Sequence, residues 1–133
     1  MNGSFLAMNR GKKTVAAHYR QGLDGEEAAV AYLCAKGYEI WGRNYRFRRA
    51  EIDILAFMDG VLVVVEVKTR TRGFYKSLSH TVSPLKIQRL VRAADHYIRA
   101  NGLEIEVRFD IIQLCGKPGN YDIVHLRNAF YHF

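Results

Sequence analysis

The sequence predicts an α/β fold in one domain, with elements in the order helix, three strands, helix, two strands. Three observations carry this. The chain has 133 residues and 49% hydrophobic content, which suits a single core and argues against wholesale disorder. Two apolar runs flank Asp59-Gly60, a strong short-range hairpin signal. Two further segments carry helix start and stop residues around an apolar stretch.

Residues 1–21 form a basic N-terminal segment with Arg10, Lys12, Lys13 and Arg20. It either lacks regular structure or holds a short helix over Lys13–Tyr19. Residues 22–133 read as the single domain. The first clear helix is expected over Gly25–Lys36, with Asp24 as N-cap, Glu27 in a capping-box relation and Leu23 against Ala28 as a weak staple. Gly37 follows as the residue that ends it. The run from Ala28 to Ala35 is almost wholly apolar, so this helix is expected to be largely buried. Capping occupies Glu27 and leaves Glu26 without a structural task.

A first strand is expected over Glu39–Phe47, with Gly42 as a bulge or bend. Arg43, Arg46, Arg48 and Arg49 alternate with aromatics here. The cluster is either a phosphate-contacting surface or an edge strand kept soluble by charge. Strands over Ala50–Met58 and Val61–Arg70 follow, then a loop over Thr71–Thr81. Ser83-Pro84 opens the second helix as N-cap and first residue, and Asn101-Gly102 closes it. Ile87, Leu90, Val91, Ala94 and Ile98 make one apolar face, leaving Lys86, Arg89, Arg92 and Arg99 as a solvated surface. Strands over Glu104–Cys115 and Tyr121–Leu126, with a turn between, complete the chain.

Composition narrows the function classes. Twenty Lys and Arg against 13 Asp and Glu give a charge of +7. That points to a polyanionic partner, nucleic acid before an anionic membrane surface. Cys34 and Cys115 are too few for a disulfide framework and lie outside any paired zinc spacing. The apolar neighbours of Cys34 predict a buried, reduced thiol. His18, His80, His96, His125 and His132 show no ligand spacing and read as surface or packing residues. No secretory signal or spanning segment is visible, so a cytoplasmic location is expected.

The chemistry sits in the hairpin. A two-residue turn at Asp59-Gly60 pairs Met58 with Val61. Counting outward, Asp53 faces Glu66 and Glu51 faces Lys68, all four on one side. The other positions of both strands are apolar, including Ile52, Ile54 and Ala56 on the opposite face, so the pair belongs in a sheet interior. Two carboxylates facing each other there repel and are poorly solvated. A hard divalent cation with oxygen ligands resolves both problems. Asp53 and Glu66 are therefore expected to hold Mg²⁺, or Mn²⁺ in its place, with the Val67 carbonyl as a further ligand. Lys68 is expected to position or activate a water, as phosphodiester hydrolysis requires. Glu51 stands behind as a neighbour of Lys68.

Asp53 followed on the next strand by Glu66-Val67-Lys68 resembles the PD-(D/E)xK signature of the restriction endonuclease-like superfamily, which includes archaeal Holliday-junction resolvases. Over roughly residues 22–130 the chain is similar to the YraN-like family of small uncharacterised proteins. The matching stretches are Gly25-Glu26 with Ala29 and Tyr32-Leu33, Arg43-Asn44-Tyr45-Arg46, Glu51-Ile52-Asp53-Ile54 and Val65-Glu66-Val67-Lys68-Thr69-Arg70. Lys86, Arg108-Phe109-Asp110 and Asn128-Ala129-Phe130 complete them. Ala50 departs from the glycine usual before Glu-Ile-Asp, at the loss of backbone freedom only. The resemblance implies a restriction endonuclease-like αβββαβ core, a central mixed sheet flanked by helices. It implies that Glu26 adds a catalytic carboxylate, for a second metal or a metal-bound water, and that Lys86 touches substrate phosphate. Resolvase-like relatives imply a homodimer.

Together these readings lead to a metal-dependent endonuclease that hydrolyses phosphodiester bonds in DNA, with branched or single-stranded DNA in view. Arg43, Arg46, Arg48, Arg49, Arg70 and Arg72 are the expected nucleic-acid contacts beside Lys86. The alternative is a non-catalytic nucleic-acid-binding module of the same fold. A weaker third reading is a membrane-surface adaptor using the basic N-terminus.

Overall fold

The computed structural model describes residues 13–70 and 82–130, and side chains from residue 24 onward. The expectations for residues 1–12, for the loop over Thr71–Thr81 and for Arg72 fall outside the described residues. The elements are α1 (Lys13–Ala35), β1 (Glu39–Phe47), β2 (Ala50–Met58), β3 (Val61–Arg70), α2 (Pro84–Ala100), β4 (Glu106–Lys117) and β5 (Asn120–Leu126). The strands form one sheet in the order β1-β2-β3-β4-β5. Only β3 and β4 are parallel, and α2 makes the crossover that a parallel pair needs. A mixed sheet flanked by two helices is the expected architecture.

The β2–β3 hairpin closes as the sequence indicates. Asp59 and Gly60 take φ of 50° and 78°, the positive values a two-residue primed turn requires. Met58 pairs with Val61, and the ladder continues to Ile54 against Val65. The bulge at Gly42 is also present, as a register shift between Ile40 and Gly42.

Each face of the sheet carries its own core. On the α2 side Ile52, Leu55, Leu62, Val64, Phe109 and Ile111 pack with Leu90, Ala93 and Ala94. On the α1 side Ile54, Ala56, Val63, Val65, Ile112 and Leu114 pack with Ala29 and Leu33. Full burial of each large aliphatic side chain stabilises by roughly 1.5–3 kcal/mol, so the two layers hold the sheet from both sides. Ser83 caps α2, its Oγ accepting from Lys86 N–H at 3.2 Å, as expected.

Three expectations about α1 are corrected. The helix runs without a break from Lys13, so Asp24 lies inside it and caps nothing. Glu27 is exposed and pairs with Arg43 at 2.8 Å instead of closing a capping box. The apolar run is buried along one stripe only, at Ala29 and Leu33, and Cys34 is exposed. A helix lying on a sheet buries residues at four-residue spacing, and Cys34 points off that line. The stripe begins at Gly25, where a Cβ would overlap the Thr69 hydroxyl of β3. Glycine thus lets α1 lie directly on the sheet. Gly37 ends the helix in the left-handed region, with Tyr38 N–H bonded to Leu33 C=O at 2.9 Å, the six-to-one bond of a Schellman cap.

Candidate active site

The candidate site forms where β2 and β3 part. Their paired ladder stops at Ile54 and Val65. One step further, Asp53 Oδ2 accepts a 2.8 Å hydrogen bond from Val67 N–H, so a side chain replaces the missing backbone partner. A strand residue aims its N–H and C=O toward the same neighbour. The Val67 carbonyl therefore also faces the Asp53 side of the fork.

The strand is distorted at this point. Ile52 belongs to the α2-side core while Ile54 and Ala56 belong to the α1-side core, so face alternation breaks across Asp53. This corrects the placing of Ile52, Ile54 and Ala56 on one face. Asn44 of β1, between the partners of Ile52 and Ile54, sits at φ 53°. The two distortions lie side by side and aim Asp53 into the fork.

Glu66 is the most enclosed member, with a side chain 3% exposed. Its Oε2 lies 3.2 Å from Lys68 Nζ and 2.5 Å from Lys86 Nζ. Its Oε1 is buried with no hydrogen-bond partner. Lys86 projects from the first turn of α2, so the Ser83 cap fixes where this ammonium stands. Glu26 enters from α1 beside Gly25, 3.6 Å from an Arg43 guanidinium nitrogen. Glu26 Oε1 and Arg43 Nε are also buried without hydrogen-bond partners.

Electrostatics follow from this crowding. The Asp53 carboxyl is pushed up to about 7, first by burial and then by repulsion from Glu66. The Val67 N–H and Lys86 pull it down, while Glu26 adds a further upward push. Arg43 is held above its ordinary value, mainly by its hydrogen bond to Glu27. The centre thus has three carboxylates, two ammonium groups and one guanidinium, with two carboxylate oxygens that the protein leaves unsatisfied. A buried group of that kind costs about 1–3 kcal/mol, and more when charged.

Whether this donor set suits a cation is a question of geometry. Among the described residues no three Asp, Glu, His or Cys side chains are grouped closely enough to cage an ion alone. Asp53, Glu66 and the Val67 carbonyl offer oxygens only, which suits a hard cation. Mg²⁺ typically takes one or two carboxylates and completes its shell with water and substrate phosphate. The residues present fit that mode, and they do not fit zinc or a closed calcium cage.

The other expected residues are distributed as follows. Glu51 pairs with Arg46 at 3.4 Å and is its register partner, which corrects the expected neighbourhood with Lys68. Glu51 and Asp53 line one cavity of about 350 Å³ with Ser83, Lys86 and Arg89. Arg43 belongs to the carboxylate cluster and is not a free surface charge. Arg70 ends β3 and donates to Thr69 C=O at 3.2 Å. Arg48 and Arg49 form the exposed two-residue turn between β1 and β2. Arg89 lines the cavity, and Arg92 stands over an adjoining one with Arg48 and Arg49, so these two are more than a solvated helix surface. Arg99 is the surface residue expected, paired with Asp95 at 2.9 Å.

Two polar groups went unread in the sequence. Gln113, the β4 register partner of Lys68, is buried with Oε1 unpartnered. Asp110 is fully buried and is forked by Arg108 at 2.9 Å on both oxygens. His125 Nε2 reaches the same carboxylate at 2.7 Å and Asn128 N–H at 3.2 Å. Tyr32 and Tyr38 extend the network, to His125 at 3.1 Å and to Arg108 at 2.7 Å. Burial raises the Asp110 carboxyl, but the bonds from His125 and Arg108 outweigh it and hold it below its ordinary value. His125 is thus one anchor of a buried polar pin that ties β5 and the C-terminal segment to the sheet. The missing signal was spacing: His125 and Asp110 are 15 residues apart and meet only through the β4–β5 register.

No helix among the described residues is long and apolar enough to cross a membrane. The family model for uncharacterised protein family UPF0102 matches residues 25–114. A UPF0102 protein of Flavobacterium psychrophilum is 44% identical over 119 residues, covering 90% of this chain and all of that protein. One from Christiangramia forsetii is 42% identical with the same coverage. One from Bacteroides thetaiotaomicron is 45% identical over 117 residues, 88% of this chain and 97% of its own. The matched span contains Glu26, Asp53, Glu66, Lys68 and Lys86.

Proposed function

For this chain, which belongs to the uncharacterised protein family UPF0102, we propose a metal-dependent endonuclease that hydrolyses phosphodiester bonds in DNA. Placement in the restriction endonuclease-like, PD-(D/E)xK superfamily is part of the proposal. One observation carries it. Glu66 is buried with one oxygen held by two lysines and the other left bare, beside an Asp53 carboxyl pushed up to about 7. An arrangement that costly needs a compensating ligand, and the oxygen donors choose a hard cation.

Asp53, Glu66 and the Val67 carbonyl hold Mg²⁺ or Mn²⁺ in this reading, with Glu26 at the margin. The ion supplies Lewis acidity at the phosphoryl group and a lowered pKa for water. The chain's own residues do the rest. Lys68 orients the attacking water, and its charge opposes the negative charge that develops on the phosphoryl oxygens. Lys86 projects from a capped helix start and receives a phosphate oxygen. Arg43 stands 3.6 Å from Glu26 and places a positive charge beside that carboxylate. Gln113, beside Lys68, is a second group within the strand layer suited to orienting water.

The test is cleavage of plasmid, single-stranded and four-way-junction DNA with Mg²⁺ or Mn²⁺. Activity is expected in the wild type and lost in Glu66→Ala and Lys68→Ala. Metal-dependent cleavage that persists unchanged in both variants would remove the site assignment. One observation favours a second reading, a nucleic-acid-binding module without turnover: Lys68 and Lys86 already neutralise Glu66. Salt-sensitive DNA binding with no cleavage on any substrate or metal would select it.

A further inference from the structure

A basic groove leads away from the carboxylate centre along the start of α2. Its near part is the cavity already described beside Asp53 and Lys86. Its far part is a cavity of about 310 Å³ lined by Phe47, Arg48, Arg49, Leu85, Arg89 and Arg92, among others. The two cavities share Arg49, Ala50, Leu85 and Arg89, so they adjoin as neighbouring parts of one surface groove.

Four arginines line this groove, and none pairs with a carboxylate among the described residues. Two other surface arginines are paired, Arg46 with Glu51 and Arg99 with Asp95. The four keep positive charge available along the groove. Arg48 also stands at φ 56°, a left-handed conformation that costs a non-glycine residue about 1–2 kcal/mol. Glycine or asparagine would turn the chain there more cheaply.

The groove has a π-faced end as well. The Arg48 guanidinium lies 5.3 Å over the Phe47 ring. Phe47 stacks on His96 at 4.1 Å and 18°. Tyr45 OH bonds His96 Nδ1 at 2.6 Å and holds that ring in place. Leu85, 55% exposed, forms an apolar lip. Unpaired arginines with a stacked column are what single-stranded nucleic acid requires: cations for the backbone and flat faces for bases. A duplex keeps its bases stacked inside and offers this column nothing.

We propose that the groove from Arg48–Phe47–His96 to Lys86 binds a single strand of DNA and leads its backbone to the carboxylate centre. This rests on the nuclease reading for its substrate class, but its test does not need turnover. Arg49, Arg89 and Arg92 contact phosphates, and a base takes the Phe47 face that Arg48 covers in the free protein, the Arg48 guanidinium moving to a phosphate.

The test is fluorescence anisotropy of the full chain in EDTA, with oligothymidylate, oligouridylate and a DNA duplex. Oligothymidylate is expected to bind more tightly than duplex. Phe47→Leu keeps an apolar side chain against the core and removes the π face. It is expected to weaken oligothymidylate binding roughly 5- to 160-fold, since base–aromatic stacking contributes about 1–3 kcal/mol, with little change for duplex. Arg89→Ala with Arg92→Ala is expected to flatten the salt dependence by about 0.7 in log–log slope per arginine. The two sets of changes are independent, so loss of fold in one leaves the other as the test. Equal or tighter binding of duplex, preference for oligouridylate, or equal competition by heparin would overturn the proposal. Absence of cleavage with intact groove binding would sink the nuclease reading alone.

Discussion

Replacing Asp53 by asparagine should make the metal-free protein more stable, and only above a definable pH. The carboxyl is pushed from 3.8 up to about 7 by burial and by Glu66. At about 1.36 kcal/mol per pH unit, that is a penalty on the order of 4 kcal/mol against the charged form. Asp53 borders an open cavity, so solvent screening reduces this, and about 2 kcal/mol is the working figure. Between pH 3.8 and its raised folded value the folded chain keeps a proton that the unfolded chain has released. Stability therefore falls as pH rises through that window and is flat in this respect above it. Asparagine does not ionise, and its side-chain oxygen still accepts from Val67 N–H. The variant should match the wild type near pH 4 and exceed it by about 2 kcal/mol at pH 8, a Tm gain of roughly 6–10 °C. Thermal melts in EDTA at both pH values measure this. A variant less stable at pH 8, or a difference independent of pH, would show that the Asp53 charge carries no such penalty.

Other predictions follow from neighbouring contacts. Metal affinity should fall about tenfold for each pH unit below 7, because the ion must displace the Asp53 proton; calorimetric Mn²⁺ titrations at pH 6 and 8 check this. Gly25→Ala should destabilise by about 1–3 kcal/mol through overlap with the Thr69 hydroxyl. Adding Thr69→Ala should reverse the sign, leaving the helix-propensity gain of about 1 kcal/mol over Thr69→Ala alone in denaturant melts. Asp110→Ala should cost about 3–5 kcal/mol, since it leaves Arg108 and His125 facing a partner that is gone. Because Asp110 is held below its ordinary value, its contribution is complete above pH 3.8 and is lost as pH falls below that. Wild type, but not the variant, should show that acid loss in denaturant melts.

Much of this was legible in the chain. Asp59-Gly60 set the hairpin register because a two-residue turn admits only one, and Ser83-Pro84 with Asn101-Gly102 bounded α2 because those residues satisfy helix ends. Asp53, Glu66 and Lys68 could be brought together by counting alone. The count held through Ile54 and Val65 and for one step beyond, where Asp53 accepts from Val67 N–H beside Glu66. It failed for Glu51, because the ladder opens after Ile54 and Arg46 of β1 takes that carboxylate. Asp24 misled for a different reason: a good cap residue also tolerates a helix interior when the chain before it is helical. Cys34 misled because an apolar run does not say which residues face the sheet. Arg89, Arg92, Gln113 and the Asp110–His125 pair were invisible because their surroundings depend on long-range pairing and carry no local pattern.

In the proposed site Asp53 and Glu66 share one divalent cation. The most direct test is a crystal of the full chain soaked in Mn²⁺ and read by anomalous scattering. A peak is expected about 2–2.3 Å from a carboxylate oxygen of each residue, lost in Asp53→Asn. Bare carboxylates in fully loaded crystals, with Mn²⁺ bound elsewhere or nowhere, would contradict it.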